Sequence, residues 1–423
     1  MIALSKDLKR ESAAGVTTFL TMAYIVVVNP AILSTQGTGM SFSAVMTATV
    51  SISLLMTLLM GVYAKLPFAV APGMGLNAFF TFSLVLGKGI PWPTALGMVF
   101  WSGVFFVLLS VTPIRAAVAK AVPVELRIGA AAGIGIFLAF IGLKSAGFIL
   151  ADESTFVKFG GLSTEVCLAT LGLLIIIYLK QKGSAFAFLG GIFLITVLGI
   201  ALGKVGSPQA WVSFPNFEAF FALDILGSLK FAYLPAIITL VFTDLFDSLS
   251  TFMGVSHSTG MTDSQGQPKN MKEGLVVDAL ATLGSGLFGS SPATAYVESA
   301  AGIEAGGRTG TTSVVTALCF LPCFFVAPLA ALVPSFATAP VLILVGAMMF
   351  RSVGQLSFER LDKLVPAYLT IILIPLTFSI TQGVLWGILS YVSLGLISGK
   401  RRELNPVLIG LGVLSLGLLI LES

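Results

Sequence analysis

Leu66-Pro-Phe-Ala-Val-Ala-Pro-Gly-Met-Gly-Leu-Asn77-Ala-Phe-Phe80 opens on helix breakers, Pro67, Pro72, Gly73 and Gly75, and becomes helix-friendly only afterwards. Gly284-Ser-Gly-Leu-Phe-Gly-Ser-Ser-Pro-Ala-Thr-Ala-Tyr-Val-Glu298-Ser-Ala-Ala-Gly302 has the same order, Gly, Ser and Pro first and helix formers from Tyr296 onward. Each reads as an extended segment running into a half-helix. Both sit in otherwise apolar runs. Backbone that is not helical at membrane depth survives only when it is buried in protein or lines a cavity.

The rest of the chain sets these two stretches in a membrane. Of its 423 residues 56% are hydrophobic and only 10% are charged, and the mean hydropathy is +1.01. A soluble domain carries about a quarter charged residues, so a polytopic, all-α membrane protein is the expected class. Spans are predicted near 14–33, 43–64, 67–86, 93–111, 126–143, 163–180, 183–203, 231–256, 273–289, 292–306, 309–333, 339–353, 365–380 and 382–398. A further apolar stretch, 404–421, is either an added span or an interfacial helix. With the N-terminus cytoplasmic, only Lys88, Lys144, Lys158, Lys204 and Lys230 fall outside; the other 18 of the 23 basic residues, Lys6, Arg115, Lys120, Arg127, Arg308 and Lys400 to Arg402 among them, fall inside. One missed span would erase that asymmetry. The asymmetry places the N-terminus in the cytoplasm; the expected location is the plasma (inner) membrane, multi-pass.

The two broken stretches are the third and tenth spans, which are corresponding positions in two halves of seven, 1–204 and 205–398, with 399–423 left over. Seven is odd, so the halves are inverted relative to each other. Paired interrupted spans in inverted halves mark a transporter's midplane substrate site.

Most acids lie in loops. Asp244 and Asp247 in the eighth span and Glu298 in the tenth do not, and a carboxylate at bilayer depth costs at least ~2.5–3.5 kcal/mol. No Lys or Arg shares their spans, which suits them to take up and release a proton. Asp244 and Asp247, three apart, are expected on one helix face. Their alternative role is structural, capping half-helices or bonding freed backbone. Asp278, near Lys272 and Glu273, reads as interfacial. Asn77 is a candidate contact in the first broken stretch, with half-helix hydrogen bonding as its alternative.

Other chemistries lack parts. Cys167, Cys319 and Cys323 lie in apolar runs as small buried hydrophobes. The lone His257 supports neither a metal site nor a Ser-His-Asp triad. Gly306-Gly-Arg-Thr-Gly310 lacks the spaced Gly-Lys-Ser/Thr ending of a phosphate loop. Basic residues are scattered, which argues against nucleic acid.

Gly15-Val-Thr-Thr-Phe-Leu-Thr-Met-Ala-Tyr-Ile-Val-Val-Val-Asn-Pro30, Ala71-Pro-Gly-Met-Gly-Leu-Asn-Ala-Phe-Phe80, Asp244-Leu-Phe-Asp247 and Ala295-Tyr-Val-Glu-Ser-Ala-Ala-Gly302 together resemble the AzgA-like purine permeases of the nucleobase-ascorbate (nucleobase:cation symporter-2) group. The resemblance implies fourteen spans in a seven-plus-seven inverted repeat with short strands in spans 3 and 10. It also implies a core domain of spans 1–4 and 8–11 and a gate domain of spans 5–7 and 12–14. It assigns substrate contacts to Asn77, Asp244 and Glu298 and to the backbone around Leu76 and Val297. Side-chain contact from Ser291 or Thr294 is less secure, because Pro292 interrupts a run that is richer in Ser and Thr in many relatives. Asp244, Asp247 and Glu298 are the proton-coupling candidates. The implied partners are a purine base (adenine, guanine or hypoxanthine), the lipid bilayer and a homodimer mate through the gate domain; no cofactor is called for, and the coupling ion is H+. The alternatives are another cargo, uracil or xanthine, and an intramembrane aspartyl enzyme, whose Tyr-Asp and Gly-x-Gly-Asp strings do not occur here.

Overall fold

The computed structural model describes residues 2–112, 122–208, 210–262, 268–356, 359–399 and 404–422. The sidedness assignments of Arg115, Lys120, Lys400, Arg401 and Arg402 fall outside the described residues, and so does the side chain of Lys6.

Each of the fourteen expected spans coincides with a segment of the fold. Segment 1 is Ile2–Met22 and Ile25–Leu33, segment 2 Phe42–Leu59 continued by a wider π-helical turn, Met60–Ala64, and segment 4 Trp92–Val111. Segments 5, 6 and 7 are Val124–Ser145, Thr164–Gln181 and Ala187–Ala201. Segments 8 and 9 are Leu234–Thr259 and Met271–Phe288. Segments 12, 13 and 14 are Ser335–Phe350, Leu361–Thr377 and Ile380–Ile397, and the residual stretch is a helix, Pro406–Glu422. Eight of the described helices are by themselves long and apolar enough to cross a membrane.

Two segments depart from the sequence expectation. Segment 11, expected as one span over 309–333, is broken into Gly310–Cys319, Leu321–Phe325 and Ala327–Ala330. Pro322 and Pro328 each withdraw an N–H from the helical ladder, which accounts for the breaks. Segment 1 is interrupted at Ala23–Tyr24, an irregularity that the apolar run 14–33 gave no sign of. A hairpin, β2 (Ile149–Asp152) with β3 (Phe156–Phe159), fills the loop after segment 5 and was also not foreseen. Its turn is held by the Asp152 carboxylate, which accepts from the Ser154 and Thr155 amides and pairs with Lys158 Nζ at 3.0 Å.

The broken stretches fold as expected, into strand and then half-helix. Segment 3 is β1 (Val70–Pro72), then Met74–Ala78 and Phe79–Gly87; segment 10 is β4 (Ala293–Ala295), then Ser299–Glu304. β1 and β4 pair antiparallel, Val70 opposite Ala295 and Pro72 opposite Ala293. Tyr296 N to Ala69 O (2.9 Å) and Gly73 N to Pro292 O (2.9 Å) extend the pairing at both ends.

A two-stranded sheet has two free edges, and in a bilayer each unpaired group is costly. Neighbouring helices supply the missing partners from side chains. Thr57 of segment 2 donates to Val70 O (3.0 Å) and accepts from Val70 N (2.9 Å), which closes the β1 edge. On the other edge Asp278 of segment 9 accepts from Ala295 N (2.7 Å), and Thr282, one turn on, donates to Ala293 O (3.2 Å). Ser313 of segment 11 donates to Leu66 O and Phe68 O, and Ser299 accepts from Ala69 N. Segments 2 and 9 thus do the same work for the two halves. Glycines bring the helices this close: a Cβ on Gly286 of segment 9 would stand 2.7 Å from Phe100 N of segment 4.

Candidate functional site

Four acids surround the β1–β4 pair, and the structure sorts them into two environments. Asp244 and Asp278 are fully buried. The Thr282 hydroxyl donates to Asp244, and the Ser248 hydroxyl to Asp278. Ser248 is also 2.8 Å from Thr294 Oγ1 on β4. Asp244 Oδ1 has no hydrogen-bond partner. No Lys, Arg or His forms an ion pair with either acid among the described residues. The pair is therefore an uncompensated acidic centre wrapped in hydroxyls, just behind the strands.

Asp278 corrects the sequence reading, which placed it at the interface. Lys272 is exposed at the end of segment 9, but Asp278 lies six residues further in, about 9 Å along the helix. That depth puts it against β4.

Asp247 and Glu298 face the other way. Asp247 lines a cavity with about 90 Å³ open to the centre of a water molecule, together with Gly75 and Leu76 from the half-helix after β1. The far wall is Leu126, Arg127 and Ile134 of segment 5, with Thr370 and Val384 from segments 13 and 14. Glu298 is half-buried; its Oε1 accepts from Tyr24 Oη at 2.8 Å, and it lies within electrostatic range of Asp247. The interruption of segment 1 thus places Tyr24 against the acid of segment 10.

The candidates are therefore only partly brought together. Leu76 and Asp247 share the cavity. Asp244 and Asp247 were expected on one face, yet three residues leave them about 60° apart around the helix, and that angle separates the buried centre from the cavity. Thr294 belongs to the buried hydroxyl network. Asn77 is buried, with Nδ2 3.9 Å from Met74 Sδ and Oδ1 unpartnered, and does not line the cavity. Val297 is half-exposed, away from it. Sequence reasoning missed Tyr24, Ser248, Thr282 and Asn29, whose amide ties Thr49 of segment 2 (2.8 Å) to Ser290 (3.1 Å). Tyr24 and Asn29 both lie in the Gly15–Pro30 motif, where a polar residue in an apolar run was the available signal.

Residues 9–385 match the model of the Permease family (Xan_ur_permease). The chain belongs to this family. It is 39% identical over 403 residues to the adenine permease AdeP of Escherichia coli K12, covering 95% of this chain and 90% of that one. It is 38% identical over 418 residues to the guanine/hypoxanthine permease PbuO of Bacillus subtilis 168, covering 96% of each. Its fold is that of the transmembrane domain of a cyanobacterium bicarbonate transporter, BicA, with TM-score 0.65 at 18% identity over 90% of this chain and 97% of that one. The fold is the expected fourteen-segment, seven-plus-seven inverted repeat, and the chain is an integral membrane permease, not an enzyme.

Proposed function

We propose that this permease imports purine nucleobases together with protons, by alternating access around the β1–β4 pair, in a plasma membrane with its N-terminus inside. The observation that carries the reading is end-to-end similarity to adenine and guanine/hypoxanthine permeases, combined with a cavity whose floor is a half-helix start and an acid. A purine is flat, neutral and rimmed by donors and acceptors. A carboxyl can pair with such an edge; Asp247 stands in the cavity wall where a base would arrive, with Glu298, held by Tyr24, within electrostatic range of it. The buried Asp244–Asp278 centre behind them is suited to hold the proton, since two carboxylates without a cation are costly to keep ionised together.

Two features support alternating access. The cavity lies between segments 3 and 8 on one side and segments 5, 13 and 14 on the other, at the end of the bundle that carries Arg127. At the opposite end the two groups touch: the Ser83 hydroxyl of segment 3 donates to Phe378 O, and the Phe378 ring is held within its own group by Phe137 and Phe140 of segment 5, edge-on at 5.4 Å each. That arrangement fits an inward-open state with a closed outer gate, the core and gate groups rocking to reverse it.

The test is uptake of radiolabelled hypoxanthine by proteoliposomes under an inward proton gradient, with unlabelled adenine, guanine, xanthine and uracil as competitors. Competition by purines and collapse with an uncoupler are expected. Uptake driven by a sodium gradient alone would refute proton coupling, and preferential competition by uracil or xanthine would favour the alternative cargo.

A further inference from the structure

We propose that Arg127 is a specificity-determining residue that selects 6-oxopurines, guanine and hypoxanthine, over adenine. This rests on the purine-transport reading and narrows its substrate class. Arg127 is on segment 5, in the wall of the cavity that also holds Thr243, Phe246 and Asp247. A guanidinium at a membrane-protein cavity ordinarily finds a carboxylate. Here Glu125 lies within electrostatic range of Arg127, but its ion-pair contact, at 3.0 Å, is with Lys363. Arg127 Nε is buried with no hydrogen-bond partner, and so is Thr243 Oγ1 across the cavity. Two unpartnered polar groups lining one cavity are the signature of a site whose ligand completes them.

The ligand's chemistry follows from the surroundings. Arg127 Cζ lies 6.0 Å from the centroid of the Phe246 ring, and the Phe242 and Phe246 rings lie 15° from parallel with centroids 6.0 Å apart. A flat ring can therefore rest on an aromatic surface with its edge turned toward the guanidinium. Arginine is donor-only, and a 6-oxopurine offers it two acceptors side by side, O6 and N7. Adenine offers N7 but puts an amino donor where O6 would be, so two donors would oppose each other. Asp247, on the same cavity, acts in the same direction, because a carboxylate accepts the N1–H of a 6-oxopurine while adenine N1 is itself an acceptor. Glutamine reverses the preference, since its amide pairs with N7 and the adenine amino group.

The experiment measures inhibition of radiolabelled hypoxanthine uptake by unlabelled hypoxanthine, guanine and adenine in proteoliposomes of the full chain, wild type, Arg127→Gln and Arg127→Lys, at matched protein content. Wild type should be inhibited by the 6-oxopurines at concentrations about tenfold or more below adenine. Arg127→Gln should lower that ratio at least about tenfold, by weakening the 6-oxopurines and strengthening adenine, and Arg127→Lys should lower it less. An Arg127 that only supports the fold would weaken all three bases in parallel, and that result overturns the assignment; so does adenine outcompeting hypoxanthine in wild type. If Arg127→Gln fails to assemble, the ratio in Arg127→Lys, which keeps the charge but loses the fork, decides on the same criterion. Absence of purine uptake by wild type would refute the transport reading itself, and this inference with it, whereas normal uptake with unshifted selectivity refutes the Arg127 role alone.

Discussion

Thr57→Val is the sharpest probe of how this fold keeps a strand in the middle of a membrane. Valine has the shape of threonine without the hydroxyl, so packing is preserved while both bonds to Val70, at 2.9 and 3.0 Å, are lost. Thr57 is fully buried, out of reach of bulk water. Hydrogen bonds inside membrane proteins are worth about 0.6 kcal/mol on average and up to about 1.7. Two of them, on one N–H and one C=O that are then orphaned together, come to about 1–3 kcal/mol, or roughly a five- to 150-fold fall in the folded-to-unfolded ratio. Reversible unfolding in mixed detergent micelles reads that ratio directly. Thr57→Ser, which gives up only a methyl group and keeps both bonds, should be the milder change. Equal stability of Thr57→Val and wild type, or a larger loss for Thr57→Ser, would refute the idea that side-chain hydroxyls close the strand edges.

Other outcomes follow from the acids and from the β2–β3 hairpin. Glu298→Gln should abolish purine accumulation while the protein remains in the membrane, since the amide keeps the Tyr24 contact but cannot ionise; wild-type uptake would count against it. Asp278→Asn should retain the Ala295 bond and near-wild-type stability but lose proton-driven accumulation, which separates its strand contact from its charge; unchanged accumulation would remove it from the coupling centre. In the β2–β3 turn, Lys158 and then the Thr155 and Ser154 amides hold the Asp152 carboxyl below its ordinary range. A depressed folded value contributes stability above the unfolded value of about 3.9 and loses it as the pH falls further. Hydrogen exchange of the hairpin should accordingly respond to Asp152→Asn at neutral pH and converge with wild type under strong acid.

How much of this was readable beforehand can be traced residue by residue. Pro67, Pro72, Gly73 and Pro292 disfavour continuous helix in an apolar run, which pointed to an extended segment before a half-helix; the family resemblance implied that these segments are strands, and β1 pairs with β4. The positions of those breaks in the span count gave the inverted repeat. What stayed hidden depends on which face a helix turns toward a neighbour. Asp278 looked interfacial because Lys272 and Glu273 are close in sequence, yet each residue advances a helix about 1.5 Å and depth accumulates quickly. Asp244 and Asp247 looked equivalent because spacing gives the angle between them but not the direction in which the helix faces. Arg127 was counted only toward sidedness, and its unpartnered Nε is visible only once segments 5 and 8 are packed.

The most direct test of proton-coupled purine carriage uses proteoliposomes loaded with a pH-sensitive dye and no imposed gradient. Hypoxanthine added outside should acidify the lumen in wild type, with no signal in Glu298→Gln. Hypoxanthine entry measured in parallel without any change in lumenal pH would contradict the coupling and return the buried acids to a purely structural role.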